Sequence, residues 1–207
     1  MNRKPIVCIG ASLVDETYRL KSRPLNGTSN PATLYRAAGG VSRNIAHHLA
    51  LLGNPVKLIT HFGKDADGDW LAGECMKAGI DLADSIRNSE PTGKFTALLS
   101  PEGDLFAGAV ACRFEEMVTP AFLEAKTAVL KSASLLLIDT NLGTEALGWL
   151  LDFSRSEKIP CAIEPVSVPK AARLKEANLS GVLMLTPNLD ELAVLSGMEA
   201  SGGFRPQ

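Results

Sequence analysis

Val41-Ser42-Arg43-Asn44-Ile45-Ala46-His47-His48-Leu49-Ala50-Leu51-Leu52 is followed by Gly53, and then by Val56-Lys57-Leu58-Ile59-Thr60-His61-Phe62. The first stretch puts Val41, Ile45, Leu49 and Leu52 on one helical face, and Gly53 is a helix stop signal. The second predicts a strand over 56–62, ended by Gly63. Working outward, the same alternation recurs. Ile6-Val7-Cys8-Ile9 is a short apolar run that stops at Gly10, as a buried strand does. Asp67 can cap a helix through Met76, closed by Gly79. Later stretches predict a helix over 121–131, a strand over 135–138 entering Asp139, and a helix over 144–156. A strand over 160–163, a short helix within 168–177, a strand over 182–185 and a helix over 188–196 follow. Strands spaced by helices imply an α/β fold whose mainly parallel sheet is covered on both faces.

Two regions break that rhythm. Stretches 94–100 and 105–112 are β-prone and separated by Pro101-Glu102-Gly103-Asp104, a hairpin signal. Stretches 16–20 and 33–38 read as companion strands. Together they predict a small sheet projecting from the main body. Residues 198–207 carry Ser201-Gly202-Gly203 without helix or strand pattern and predict a flexible tail. The expected organisation is one α/β domain over 1–197, with the small sheet drawn from about 15–38 and 94–112.

Composition narrows the function classes. The 207 residues are 45% hydrophobic and 21% charged, which allows a sizeable core and argues against global disorder. Lys plus Arg is 21 and Asp plus Glu is 23, a net charge of −2 that argues against an electrostatic nucleic-acid binder. No apolar run approaches the roughly 18–20 residues of a membrane span, and the N-terminal residues do not support a signal peptide. Cys8, Cys75, Cys112 and Cys161 share no metal-ligand spacing and read as small hydrophobes in a reducing cytoplasm. His47, His48 and His61 are the only histidines. The first two are adjacent on a helix and face different ways, so they read as packing or surface residues.

In a parallel sheet, ligands gather at the carboxyl ends of the strands. The polar residues just past those ends are Asp15, Asp139, Asn141, Glu164, Asn188 and Glu191. Gly39-Gly40-Val41-Ser42-Arg43-Asn44 opens the first long helix. Its glycines permit close backbone approach of a ligand, and the helix start offers free N–H groups. The same pair also suits a tight loop entry with no ligand. The run is neither a P-loop nor the G-x-G-x-x-G dinucleotide fingerprint. Asp15 is either a double acceptor for two sugar hydroxyls or a solvated turn residue. Arg43 is either a surface charge or a ligand contact. Asn188 and Glu191 have capping-box spacing, and they also suit a hydrated Mg²⁺ near phosphates. Asp139-Thr140-Asn141, Glu164-Pro165-Val166-Ser167 and Lys170 are either loop solvation or anion and hydroxyl contacts.

Four features, in order, resemble the ribokinase-like (PfkB) family of carbohydrate and nucleoside kinases. They are Ile9-Gly10 with Asp15, Gly39-Gly40 leading to Asn44, Phe62-Gly63-Lys64-Asp65-Ala66-Asp67-Gly68, and Pro187-Asn188-Leu189-Asp190-Glu191. Asn30-Pro31, Gly40-Val41-Ser42-Arg43-Asn44-Ile45-Ala46, and Glu164-Pro165-Val166-Ser167 with Lys170-Ala171 are similar to the pseudouridine kinase branch. The resemblance implies a three-layer ribokinase-like sandwich with a small β lid. It implies transfer of the ATP γ-phosphoryl, with Mg²⁺, to the 5′-hydroxyl of a nucleoside or sugar, most similar to pseudouridine.

Carried over by match, Asp15 and Asn44 hold ribose hydroxyls, with Gly39 and Gly40 allowing close approach. Asn30, Arg43 and Lys170 are substrate-contact candidates, and Asn188 and Glu191 place Mg²⁺ and phosphates. The lid excludes water and is the expected surface for a homodimer in the cytoplasm. The family's later Gly-Ala-Gly-Asp motif, which holds its general base and anion hole, occurs nowhere in this sequence. Losing a general base costs about 10²–10⁴-fold in rate, so the chain alone is expected to be truncated and inactive. A ribokinase-type sugar kinase fragment, a non-catalytic nucleoside-binding module and a protein that associates through an exposed sheet edge are the competing readings.

Overall fold

The structure, a computed structural model, describes residues 3–198. The main sheet contains β1 (Ile6–Ile9). The chain then leaves it for β2 (Leu13–Leu20) and β3 (Ala32–Gly39). After α1 (Val41–Leu51) come β4 (Val56–Ile59), β5 (His61–Gly63), α2 (Ala66–Lys77) and β6 (Ile86–Asn88). Next are β7 (Lys94–Leu99) and β8 (Leu105–Ala111), then three short helices, α3 (Phe114–Met117), α4 (Pro120–Glu124) and α5 (Thr127–Lys131). The remainder is β9 (Leu135–Asp139), α6 (Thr144–Ser156), β10 (Cys161–Glu164), α7 (Val168–Ala171), a 3₁₀ turn (Ala172–Glu176), β11 (Met184–Leu185) and α8 (Leu189–Ser196).

The five main strands lie in the order β11-β10-β9-β1-β4, and every pair is parallel. Successive strand residues point to opposite faces, and the core divides accordingly. Val7, Ile9, Leu136, Ile138, Cys161 and Ile163 bury on one face with Leu123, Leu130, Leu147 and Leu150 of α4–α6. Cys8, Leu58, Leu137 and Ala162 bury on the other with Ala46 of α1 and Leu71 and Cys75 of α2. The result is three layers, helix–sheet–helix. A separate four-stranded sheet has the order β3-β2-β7-β8. It is the lid foreseen from the sequence, and it starts earlier, at Leu13.

Several local expectations are corrected. The predicted strand over 56–62 is two strands. After Ile59 the chain leaves the main sheet, because the Thr60 carbonyl accepts from the Ile86 N–H at 2.7 Å and draws β5 onto β6. Asp65, not Asp67, caps α2. Its carboxylate accepts from the Gly68 N–H at 2.7 Å, while Asp67 turns outward to Arg36 and Lys94. The predicted helix over 121–131 breaks into α4 and α5. The Thr127 hydroxyl donates to the Glu124 carbonyl at 2.6 Å, a local bond that competes with a continuous helix. The expected tail lies, from residue 199, outside the described residues.

Candidate functional site

Because the main strands are parallel, their carboxyl ends share one rim, and the lid rises directly from it. β1 ends at Ile9, and only three residues separate it from the start of β2 at Leu13. Asp15 therefore sits on a lid strand immediately above the rim, paired with Ala37 of β3. Gly39 closes β3 against it. A Cβ built on Gly39 would lie 2.1 Å from an Asp15 carboxylate oxygen, so no larger residue leaves that carboxylate in place. Gly40 turns the chain into α1 with φ 96, a left-handed conformation that glycine adopts without strain. Asn44, in the next turn, is exposed, and its backbone N–H donates to the Gly40 carbonyl at 2.9 Å.

Arg43 joins these groups. It is 5% exposed, and its Nη1 donates to Asn44 Oδ1 at 3.0 Å and to the Ala38 carbonyl at 3.3 Å. Burial raises the Asp15 carboxyl above its ordinary range, and the positive charge of Arg43 opposes that rise. Asp15 and Asn44 thus share one cationic neighbour beneath one glycine turn.

Asp139, at the end of β9, is fully buried. Its Oδ2 accepts from the Ala11 N–H at 3.2 Å and the Ser42 N–H at 3.1 Å, and its Oδ1 accepts from the Asn141 N–H at 2.9 Å. One carboxylate therefore ties together the exit of β1, the start of α1 and the exit of β9. Burial pushes its pKa up to about 6 despite these donors.

Lys170 donates to the Asn141 side-chain carbonyl, which places the ammonium over the β9 exit. The intervening Val166 holds φ 68, and the Ser167 N–H donates to the Pro165 carbonyl at 2.7 Å. That tight turn is costly for a β-branched residue. Asn188 and Glu191 form the full capping box: Asn188 Oδ1 accepts from the Glu191 N–H at 2.9 Å, and Glu191 accepts from the Asn188 N–H at 3.0 Å. They lie past β11, three strand spacings, or about 14 Å, from β1.

Asn30 is not brought to this rim. It belongs to the turn between β2 and β3, about 17 Å along the ribbon from Asp15. All three of its side-chain hydrogen bonds, to Leu25 and Thr28, stay inside its own loop.

Residues 3–202 match the pfkB family carbohydrate kinases. The chain belongs to that family. It is 33% identical over 192 residues to the uncharacterized sugar kinase YeiI of Escherichia coli, covering 92% of this chain and 52% of that protein. It is 29% identical over 198 residues to the pseudouridine kinase of the same organism, covering 95% of this chain and 62% of that protein. A carbohydrate kinase structure from Agrobacterium tumefaciens superposes with a TM-score of 0.84 at 28% identity, covering 94% of this chain and 64% of that one. The chain thus spans between about half and two thirds of the length of these pfkB kinases.

For a pfkB kinase, the Mg²⁺ reading of Asn188 and Glu191 has limited donors. The capping box occupies Asn188 Oδ1 and one Glu191 oxygen, which leaves one carboxylate oxygen uncommitted in the box. That set fits water-mediated contact with a hydrated ion, since Mg²⁺ keeps several waters. It does not fit a closed protein shell, and no cluster of three His, Cys, Asp or Glu occurs among the described residues.

The sequence reading missed the junction of lid and body. Lys94 of β7 pairs with Glu16 of β2 at 2.9 Å and with Asp67 of α2 at 3.1 Å. Arg36 of β3 pairs with Asp67, and its guanidinium stacks 4.5 Å from the Trp70 ring centroid. These partly exposed pairs are each worth about 1 kcal/mol or less. Together they set the lid's seat on α2. The lone charges Arg36 of β3 and Lys94 of β7, in otherwise uncharged strands, were the available signal, but only the folded arrangement shows that they meet Glu16 and Asp67.

Proposed function

We propose that the chain is the substrate-binding portion of a PfkB kinase that phosphorylates the 5′-hydroxyl of a nucleoside, pseudouridine being the best-supported substrate. The observation that supports it most is the Asp15 carboxylate seated against the Gly39 backbone at the sheet rim, with Arg43 as a neighbour shared by Asp15 and Asn44. An ionised carboxylate accepts only, and a ribosyl group offers adjacent hydroxyl donors. The similarity to pseudouridine kinase supports the nucleoside class.

Phosphoryl transfer needs in-line positioning, charge neutralisation and exclusion of water. In this reading Asp15 and Asn44 orient the sugar, Gly39 and Gly40 admit it to the backbone, and the lid covers it. Lys170 offers a positive charge over the same rim. ATP is the assigned phosphoryl donor, and bound Mg²⁺ would neutralise phosphate charge, with Asn188 and Glu191 holding its waters. The aspartate that takes the hydroxyl proton in this family has no counterpart motif in these 207 residues. Binding without turnover is therefore expected of the chain alone, and that makes a non-catalytic binding module the second reading.

Calorimetry with pseudouridine, uridine and ribose, beside a coupled ATP phosphorylation assay, tests both. Pseudouridine is expected to bind most tightly, without measurable phosphorylation. Failure of all three to bind would remove the nucleoside reading, and turnover at the rate of a complete kinase would remove the expected inactivity.

The lid leaves Leu34, Tyr35, Leu105, Phe106 and Val110 about half exposed or more. Apolar exposure of that kind marks an association surface, and we assign it to a second copy of the chain. Sedimentation should give a dimer that Phe106→Glu converts to monomer; a monomeric unaltered chain at micromolar concentration would refute it. Four free thiols, three of them buried, favour the cytoplasm. Among the described residues no helix is long and apolar enough to cross a membrane.

A further inference from the structure

Arg43 is an expensive residue to bury. A guanidinium carries five donors and does not deprotonate, and removing it from water costs several kcal/mol unless its partners compensate. Yet it forms no salt bridge among the described residues, and its buried Nε has no hydrogen-bond partner there. Its Nη1 instead meets two neutral oxygens, one of them the side-chain carbonyl of Asn44. The Cys75 thiol of α2 lies beside the buried guanidinium.

An asparagine amide has nearly the same shape in either orientation, so its hydrogen-bond partners decide which end faces where. A donor fixed behind Asn44 Oδ1 leaves Nδ2 as the outward end. We propose that Arg43 is a positioning residue for specificity: by holding the Asn44 carbonyl it makes the rim present an N–H donor next to the Asp15 acceptor. This deepens the nucleoside reading above and rests on it. The ligand selected carries a hydroxyl that donates to Asp15 and a neighbouring oxygen that accepts from Asn44. A ribosyl group meets both demands, whereas a 2′-deoxy or 3′-deoxy analogue meets one.

The test compares Arg43→Met, which keeps length but no donor, with Arg43→Lys, which keeps a charged donor. Calorimetry reads pseudouridine and uridine against the 2′-deoxy and 3′-deoxy forms of uridine. The unaltered chain is expected to prefer the hydroxylated ligand at the position facing Asn44. In Arg43→Met that preference should fall about 10-fold, the worth of one well-made hydrogen bond, with Arg43→Lys restoring most of it. Equal weakening toward every ligand would show a merely structural role and overturn the proposal.

A second measurement needs neither variant nor ligand. In the unaltered chain, proton NMR should show no close contact between the Asn44 side-chain NH₂ and the Arg43 guanidinium protons beyond that imposed by the opposite amide end. A strong nuclear Overhauser effect between them would mean a flipped amide and would overturn the inference. If no ribosyl ligand binds, the nucleoside reading fails, and the NMR measurement still tests separately the Arg43–Asn44 hydrogen bond from which the inference is drawn.

Discussion

Asp139→Ala is expected to destabilise the chain by about 3 kcal/mol or more and to abolish nucleoside binding. The carboxylate is completely buried and is the acceptor for three backbone N–H groups from separate segments. Each buried donor left without a partner costs about 1–3 kcal/mol, and a water entering the space would recover part of that. The site has little room for adjustment: a Cβ on Gly10 would already fall 2.2 Å from Asp139 Oδ2. Loss of binding follows because the Ser42 N–H fixes the start of α1, hence the turn that carries Gly40 and Asn44. Urea unfolding measures the first effect and calorimetry the second. Unchanged stability in Asp139→Ala would show that the three N–H groups find other acceptors.

The same residue carries a pH signature. Its folded pKa, about 6, lies above the ordinary 3.8 because burial disfavours the charge. A raised folded pKa means that the proton is bound more tightly in the folded chain. The resulting stability is fully present below the unfolded value and is lost as pH rises through about 6. Asp139→Asn has no such titration. The stability of the unaltered chain relative to Asp139→Asn should therefore fall by about 2 kcal/mol between pH 4 and pH 7. Taking the difference removes common contributions such as Asp65 and Asp81, whose lowered pKa values act in the opposite sense. A flat difference across that range would mean that Asp139 titrates as an ordinary exposed carboxyl.

The alternation of helix and strand is legible because each element carries its own local signal. The helix over 144–156 was placed at both ends, since its apolar period starts after Gly143 and fades at Ser156. The Asn188–Glu191 capping box was readable from spacing alone. The glycine turn and Asn44 were equally plain. What stayed hidden depends on partners distant in sequence. Nothing local in 56–62 shows that Thr60 pairs with Ile86 rather than continuing the main sheet. Asp139 reads as a polar loop residue at a strand end, yet Ala11 and Ser42 converge on it from 128 and 97 residues away. Arg43 reads as a surface charge or ligand contact, yet it is buried between Ala38 of β3 and Cys75 of α2, neighbours that no local pattern announces. Asn30 shares a stretch of sequence with the glycine turn, but the β2–β3 ribbon carries it to the far end of the lid.

Asp15→Ala is expected to separate binding from stability. If Asp15 accepts from two ribosyl hydroxyls, its loss removes charge-assisted hydrogen bonds worth about 1.5–3 kcal/mol each. Nucleoside affinity should then fall about 100-fold or more. Stability at neutral pH should hold or rise. Burial raises the folded pKa of Asp15, and Arg43 only partly offsets that. By the same linkage, its contribution is present below the unfolded pKa and lost as pH climbs through the folded one, so at pH 7 the ionised carboxylate weakens the fold. A group that destabilises the empty chain yet faces a glycine kept bare for it is what a binding site requires, because strain of this kind is retained for function. Calorimetry and urea unfolding on one preparation decide the matter. Affinity within threefold of the unaltered chain would remove Asp15 from the site, and a parallel loss of stability and affinity would make it a structural residue.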